Sequence, residues 1–272
     1  MPTRAELLST VERSPNTVAV HDRDGWLGLF TDDAVVEDPV GSAPAPKADG
    51  VLGRFWDTFI APHGIRFEIR RDHFIGNDVF RDALIHTRVR AGVEVLVPAY
   101  LLYQVAERDG ALRVKRMAAH WTLAHMTMVA MTMGPRAWVA MTGLFVRMIR
   151  VMGLGWVGAY LASLWRGIGR SRARSTLESL TGAVAMRDTT RITPLFTDTA
   201  QIELGERSLR PGALVDALPE NAILHVESLV AAGWTASFRY RLEGANVEGE
   251  GLALFEFDRD TRRIARARFF AP

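Results

Sequence analysis

The stretch "LFTDDAVVED", from Leu29 to Asp38, decides the fold because the chain contains it twice. It returns as "LFTDTAQIEL" from Leu195 to Leu204, a separation far too long for the units of a solenoid. The segments downstream are also related, since "YQVAERDGALRVKRM" from Tyr103 matches "FEFDRDTRRIARA" from Phe255. The sequence therefore predicts two copies of one folding unit in tandem.

The repeat sets the predicted domain boundaries. Residues 1–125 form the first domain, residues 126–170 form an apolar helical insert rich in arginine, and residues 171–272 form a degenerate second copy. The chain of 272 residues is long enough for two domains, and its 48% hydrophobic and 24% charged residues are typical of globular proteins. Because cysteine is absent, disulfides, thiolate metal sites and cysteine nucleophiles are excluded.

Helices precede strands in the first copy. Helical periodicity covers Ala5 to Val11, Ser14-Pro15 is typical of the start of a new helix, and a third helix is predicted from Gly50 to Phe59. The alternation from Ala34 to Asp38 predicts a strand. Four more strand-like runs follow the third helix: Ile65 to Arg70, Ala83 to Arg90, Val93 to Val105 and Leu112 to Trp121. This order predicts an α+β fold, in which each domain is a cone made of a curved antiparallel sheet packed on helices, with a pocket inside.

The end of the first predicted strand carries two consecutive carboxylates, Glu37 and Asp38, directly before a proline. Side chains alternate along a strand, so one carboxylate should face the interior and the other should face water. From the pattern alone, two interpretations of Asp38 stay open. It either caps the turn that follows, as Asp-Pro sequences often do, or faces a pocket.

Three segments resemble the ketosteroid isomerases of the nuclear transport factor 2-like superfamily, which also holds the SnoaL-type polyketide cyclases. They are "FTDDAVVEDPVGS", "RFWDTFIAP" and "RMAAHW". The resemblance covers the first copy nearly end to end and the second copy only in its skeleton. It implies that Asp38 is a general base, which moves a proton beside a ketone carbonyl, and no cofactor is expected. No metal site is expected either, because His73 and His86 have no metal-ligand spacing with each other or with nearby acids. The second copy has Leu204 at the matching position and is expected to be structural.

The family's hydrogen-bond donors for the enolate oxygen are changed in this chain. The resemblance implies that two tyrosines and a protonated acid should stand at three positions of this chain. The tyrosine positions are occupied by Ser14 and Trp56, and the position of the acid falls on or beside Leu102. Tyr100, which shares strand parity with Leu102, and His120 are the predicted catalytic replacements. The predicted substrate-binding residues are Trp121, Trp56, Phe55, Leu102 and Ser14, with an ordinary core role as the alternative for the aromatic ones.

The charge of the insert indicates an anionic partner. From Gly110 through Leu177 the sequence has no Asp or Glu, while arginine recurs throughout residues 136–174. Three interpretations stay open: a helical hairpin packed between the domains, an interfacial segment on anionic lipid, and a transmembrane hairpin interrupted by Arg147 and Arg150. In the interfacial case, three tryptophans would lie at the headgroup level: Trp138, Trp156 and Trp165.

The predicted function is isomerisation of a hydrophobic steroid- or polyketide-like ketone by proton transfer alpha to the carbonyl. The alternative is a steroid or lipid carrier or sensor, which keeps the pocket but has lost the chemistry. A third hypothesis is a protein that uses the fold only for association.

The expected partner is a hydrophobic small molecule rather than nucleic acid, because the arginines lie among apolar residues and no recognition-helix motif is present. A homodimer or an intramolecular pseudo-dimer is also expected. Since the N-terminal segment lacks the apolar core of a secretory signal, the predicted location is cytoplasmic, with peripheral attachment to the inner face of the membrane as an extension of that prediction.

Overall fold

The computed structural model describes residues 2–88, 94–132, 134–244 and 247–271. The predicted strand ends at Arg90 and Val93 lie outside these residues. The chain divides into two compact units. The first comprises Asn77–Trp165 and the residues up to Asp72, and the second comprises His73–Gly76 and the residues from Arg166 onward.

The helices of the first unit come from both the first repeat and the insert. They are α1 (Arg4–Ala19), α2 (Arg23–Gly28), α3 (Val51–Phe55), α4 (Leu123–Thr132), α5 (Pro135–Met152) and α6 (Leu154–Ala162). Helix α3 continues directly into a π-helical turn at Trp56–Ile60. The predicted helix from Gly50 to Phe59 is therefore confirmed in position, and its hydrogen-bonding changes after Phe55.

The first sheet is mixed rather than purely antiparallel. Its strands are β1 (Phe30–Glu37), β2 (Ala45–Pro46), β3 (Gly64–Ile75), β4 (Asp78–Arg88), β5 (Glu94–Arg108) and β6 (Ala111–His120), in the order β2-β1-β6-β5-β4-β3. Strands β4, β5 and β6 pair antiparallel, but β1 runs parallel to β6. A parallel pair needs a long connection, and the helix and strands between β1 and β6 supply it.

Helix α1 differs from its prediction because it does not stop before Pro15. It begins at a capping box, in which the Glu6 amide donates to the Thr3 hydroxyl at 3.3 Å and the Thr3 amide donates to the Glu6 carboxylate at 2.7 Å. Proline lacks an amide donor, so the helix continues through it at the cost of one backbone hydrogen bond. Ser14 is consequently a buried residue within a helix rather than the cap of a new one.

The second unit repeats the strand order of the first. Its elements are α7 (Arg170–Ala185), α8 (Thr189–Ile192), β7 (Phe196–Leu204), β8 (Arg207–Leu209), α9 (Leu214–Ala217), β9 (Ile223–Ala232), β10 (Thr235–Gly244), β11 (Val247–Phe257) and β12 (Ile264–Phe270). The sheet order is β8-β7-β12-β11-β10-β9, with β7 parallel to β12. The α+β prediction is therefore confirmed in both units.

An ion pair recurs at the end of the parallel ladder in each unit. Arg116 Nη2 lies 2.5 Å from Glu37 Oε2 in the first unit, and Arg266 Nη2 lies 2.5 Å from Glu203 Oε1 in the second. The residue after each glutamate differs in chemistry: an aspartate in the first unit and Leu204 in the second. Leu204 packs against the apolar core of its own unit, as expected for a copy without the base.

Candidate active site

A cavity of about 200 Å³ lies inside the first unit, between one face of its sheet and helices α1, α5 and α6. Most of its wall is aliphatic or aromatic. The residues that bring a hydroxyl, carboxyl or imidazole group to the wall are Ser14, Asp38, His63, Thr87, Tyr103 and Tyr160. An apolar cavity with a few polar groups on its wall is typical of a small-molecule site.

Asp38 follows β1 directly and places its carboxyl group at the cavity. The Trp121 indole donates from Nε1 to Asp38 Oδ1 at 2.5 Å. Burial disfavours the ionised carboxylate and raises the pKa of Asp38 from its ordinary value of 3.8 to about 6, while the Trp121 hydrogen bond limits the rise. Asp38 is half-buried and lines the cavity, so a ligand there would meet a carboxylate of unusual basicity.

Glu37 takes the opposite orientation, which decides between the two consecutive carboxylates. Arg116 donates to Glu37 Oε2 from Nε at 2.9 Å and from Nη2 at 2.5 Å. This pair satisfies Glu37 outside the cavity wall. The prediction that one of the two acids faces inward is confirmed, and the inward one is Asp38.

A chain of hydrogen bonds links Trp26, Ser14 and Tyr103 at the wall. Trp26 Nε1 donates to Ser14 Oγ at 3.2 Å, and the Ser14 hydroxyl is hydrogen-bonded to Tyr103. Burial raises the pKa of Tyr103, although the nearby Arg81 guanidinium and the Ser14 hydrogen bond act against the rise. Tyr103 therefore presents a neutral, oriented hydroxyl to the cavity at physiological pH.

Tyr160 brings a second phenol to the wall from helix α6. Its ring stacks on Trp156 and Phe59, with centroid separations of 5.2 Å and 5.7 Å. Burial raises the pKa of Tyr160, and the negative charge of Asp38 raises it further. The stacked rings hold the Tyr160 phenol in place, and the negative charge of Asp38 acts on its hydroxyl.

Part of this site lies in a segment that matches a known family. Residues 11–124 match the family model of the SnoaL-like domain. This part of the chain is therefore similar to the SnoaL-like domain, and that name is used for it here. The match ends at residue 124, so the insert helices α5 and α6 and the residues from Arg166 onward lie outside it. No curated protein matches the chain.

Several solved structures are similar to part of this chain. A Mycobacterium tuberculosis protein in complex with estradiol-17beta-hemisuccinate is 26% identical over 44% of this chain and 96% of its own, with a TM-score of 0.40. A Delta 5-3-ketosteroid isomerase from Mycobacterium sp. is 25% identical over 43% of this chain and 92% of its own, with a TM-score of 0.39. An LEH-like epoxide hydrolase from M. tuberculosis is 18% identical over 53% of this chain and 98% of its own, with a TM-score of 0.39.

The SnoaL-like domain does not bring Tyr100, His120 or Leu102 to the cavity. Tyr100 and His120 are cross-strand partners in the β5–β6 ladder, and each ring lies 5.8 Å from the ring of Phe80. They are buried on the other face of the sheet, because alternate residues of a strand point to opposite sides. This placement corrects the prediction that Tyr100 and His120 face the ligand.

The residues adjacent to those three line the cavity instead. Leu101 and Tyr103 reach it from β5, and Trp121 reaches it just after β6. Phe55 and Ser14, two of the predicted substrate-binding residues, also line the wall. Trp56 does not belong to the cavity wall. It is buried behind the wall residue Trp26, with ring centroids 5.3 Å apart.

The insert supplies part of the cavity wall. Ala137, Ala140, Met141 and Leu144 of α5 line the cavity, on the side of the helix that faces the SnoaL-like domain. Arg147 fixes this helix by donating from Nε at 2.8 Å and from Nη2 at 2.5 Å to the carbonyl oxygen of Asp57. Helix α5 of the insert is therefore packed against the rest of the first unit.

Two further findings concern the insert and metal binding. Among the residues that the structure describes, no helix is both long enough and apolar enough to cross a membrane. In the same described ranges, no group of three or more His, Asp or Glu side chains is placed to hold a metal ion.

Among the cavity residues that the sequence did not predict are the two phenols, Tyr103 and Tyr160. Tyr103 stands next to Leu102, the position to which the resemblance pointed, so correct strand parity would have found it. Tyr160 lies in the insert beyond the family match, and no spacing or motif connects it with Asp38.

Proposed function

We propose that the first unit is a cofactor-independent isomerase for a hydrophobic steroid- or polyketide-like ketone, with Asp38 as the general base. The observation that carries this proposal is the carboxylate of Asp38 at the wall of an apolar cavity, with a pKa raised to about 6 by burial. The match of residues 11–124 to the SnoaL-like family supports it.

Asp38 is suited to remove a proton from a carbon atom. With a pKa of about 6, roughly 90% of the carboxylate is ionised at pH 7. It is nevertheless more basic than an ordinary aspartate, which favours proton abstraction from an activated C–H bond. Trp121 holds one carboxylate oxygen and leaves the other available to the ligand.

The reaction is a proton transfer in two steps that conserves all atoms. Asp38 takes a proton from the carbon between the carbonyl and a β,γ double bond of the ketone. The electrons of that C–H bond form a new C=C bond to the carbonyl carbon, and the C=O π electrons move to the oxygen, which gives a dienolate. The protonated Asp38 then returns the proton to the far carbon of the conjugated system, and the C=O bond re-forms. The protein must stabilise the negative oxygen between the two steps.

Tyr103 is the first proposed donor to that oxygen. An indole N–H can only donate, so Ser14 accepts from Trp26. The Ser14 hydrogen bond lowers the pKa of Tyr103, which fits a Ser14 hydroxyl that donates to the Tyr103 oxygen. This arrangement leaves the Tyr103 hydrogen for a ligand carbonyl. Tyr103 thus takes the role that was predicted for Tyr100 and His120.

Tyr160 is the second proposed donor, and it comes from the insert. It lines the same cavity as Asp38 and its hydroxyl stays protonated at physiological pH. A single donor to a developing oxyanion typically contributes ~2.7–4 kcal/mol to transition-state stabilisation. Two phenols could therefore replace the donors that the family's pattern lacks here.

One observation favours a second function, a carrier or sensor of steroids or lipids. The hydroxyl of Ser14, at the family's tyrosine position, is already paired with Trp26 and Tyr103 within the protein. In a carrier, the hydrogen bonds among Trp26, Ser14 and Tyr103 would rigidify the wall, and the cavity would bind an apolar ligand without converting it.

The test is isomerisation of a Δ5-3-ketosteroid, followed by the ultraviolet absorbance of the conjugated enone, with wild type and Asp38→Asn in parallel. Steroid binding to both proteins is measured in the same samples by calorimetry. Turnover by wild type that is lost in Asp38→Asn, with binding retained, supports the isomerase. Binding without turnover supports the carrier, and absence of both contradicts a steroid ligand.

A further inference from the structure

The outer side of the insert helices carries several large apolar side chains. Helix α5 turns Ala137 to the cavity, while its neighbours Trp138 and Val139 are 57% and 73% exposed. Leu154 of α6 is 72% exposed, and Phe145 of α5 is also exposed. One helix therefore separates the ligand cavity from an exposed apolar surface.

This pattern departs from that of an ordinary surface helix. A surface helix has one apolar stripe that faces the core and a polar stripe that faces water. In α5 the exposed side carries Trp138, Val139, Phe145 and Val146, which recur over two turns. Several exposed apolar side chains on one side of a helix indicate a contact with another molecule or with a membrane.

The charges of the insert indicate which partner the surface fits. Arg150 is exposed near the end of α5, and Arg147 is engaged with the Asp57 carbonyl. The sequence contains no Asp or Glu between Gly110 and Leu177 to neutralise such arginines. Tryptophan and arginine on an apolar helical surface, without carboxylates, suit the boundary between lipid headgroups and acyl chains.

We propose that the outer surface of α5 and α6, formed by Trp138, Val139, Phe145 and Leu154 with Arg150, docks on an anionic lipid bilayer. Trp138 and Leu154 enter the headgroup region, and Arg150 contacts lipid phosphates. Because α5 is also a wall of the cavity, docking brings the cavity within one helix of the phase in which apolar ligands dissolve. The proposal goes beyond the catalytic one and holds equally for an enzyme or a carrier.

A second copy of the chain fits this surface less well. Dimers are commonly two-fold symmetric, so the same surface patch would meet itself. Arg150 would then approach a patch that also lacks carboxylates in its own stretch of sequence. A lipid bilayer with anionic headgroups avoids this repulsion and supplies the missing negative charge.

The test is co-sedimentation of the full chain with vesicles of phosphatidylcholine, with and without phosphatidylglycerol. The decisive variant is the double substitution Val139→Ser/Leu154→Ser. Its matched control is Val20→Ser/Met186→Ser, which removes two apolar side chains of similar exposure, 74% and 68%, elsewhere on the chain. Circular dichroism melting of each variant verifies that the fold is retained.

We expect wild type and the control to sediment with the vesicles that contain phosphatidylglycerol. The Val139→Ser/Leu154→Ser variant should partition roughly tenfold more weakly. Arg150→Gln should weaken binding to the anionic vesicles while leaving any binding to pure phosphatidylcholine unchanged.

Three results would overturn the proposal. Wild type does not sediment with either vesicle, or the decisive variant binds as strongly as its control. The third is a dimer in vesicle-free buffer, measured by light scattering, that dissociates in Val139→Ser/Leu154→Ser, because the partner of the surface is then a second copy.

Discussion

Trp121 donates its indole N–H to the carboxylate of Asp38, with 2.5 Å between Nε1 and Oδ1. This hydrogen bond stabilises the ionised form of a carboxyl group that burial pushes toward the neutral form. The net result is a pKa of about 6, which keeps the group charged at neutral pH and raises its basicity. The catalytic proposal depends on this balance.

Replacing Trp121 with phenylalanine should shift the pH dependence of turnover. The substitution keeps an aromatic wall but removes the donor, so the pKa of Asp38 rises further. Since the ionised form is the base, the pH of half-maximal turnover should move upward by about one unit, as expected for the loss of a hydrogen bond to a charged group. The measurement is kcat/KM against pH for both proteins. An unchanged midpoint would show that Asp38 is not the group that controls the rate.

Replacing Asp38 with asparagine should stabilise the protein in a pH-dependent way. The native state binds the Asp38 proton more tightly than the unfolded chain, with a pKa of about 6 against 3.8. Below pH 3.8 Asp38 is protonated in both the folded and the unfolded protein, so its burial costs no ionisation energy. Between about pH 4 and pH 6 the unfolded protein loses the proton first, so the folded state loses stability as the pH rises, and this loss remains at higher pH. The variant escapes this cost, about 2–3 kcal/mol at pH 8.

The difference in free energy of unfolding between wild type and Asp38→Asn is measured by urea denaturation at pH 4 and pH 8. It should be larger at pH 8. An equal difference at both values would mean that Asp38 titrates normally in the folded protein.

Removing the Tyr103 hydroxyl should slow the reaction while sparing binding. Tyr103→Phe is expected to lower kcat about 10²-fold, the usual effect of losing one oxyanion donor. The matched control is Tyr100→Phe, which removes a hydroxyl from the same strand on the opposite face of the sheet and should leave kcat unchanged. Equal losses in both variants would indicate a structural effect rather than a donor.

Tyr160→Phe tests whether the insert contributes to the site. The phenylalanine ring keeps the stacking on Trp156 and Phe59, so only the hydroxyl is lost. We expect kcat to fall by about 10²-fold and KM to change little. Full activity in Tyr160→Phe would leave the insert with a role in closing the cavity but none in the chemistry.

Much of the fold follows from the sequence because the relevant signals are local. The duplicated strand sequence, the order of helices and strands, and the inward orientation of Asp38 depend on alternation and on short motifs. The parallel pairing of β1 with β6 could not be read in this way, because it joins segments that are distant in the chain. Pro15 also misled the prediction of α1, since packing of one helical face outweighs the single missing hydrogen bond.

The errors at the site have one cause in β5 and another in the insert. A shift of one residue along a strand exchanges the two faces of a sheet, so centring the prediction on Leu102 selected Tyr100 and missed Tyr103. Tyr160 reaches the cavity only through the packing of α6 against Phe59, a contact that no local pattern encodes.

The most direct test of the central claim is hydrogen–deuterium exchange at the carbon alpha to the ketone, followed by proton NMR with a Δ5-3-ketosteroid in deuterated buffer. This measurement detects proton abstraction by Asp38 even where a later step limits turnover. Wild type is predicted to exchange the alpha protons, and Asp38→Asn is predicted to exchange them at least about 10²-fold more slowly while still binding the steroid. Exchange at the same rate in both proteins would contradict the account.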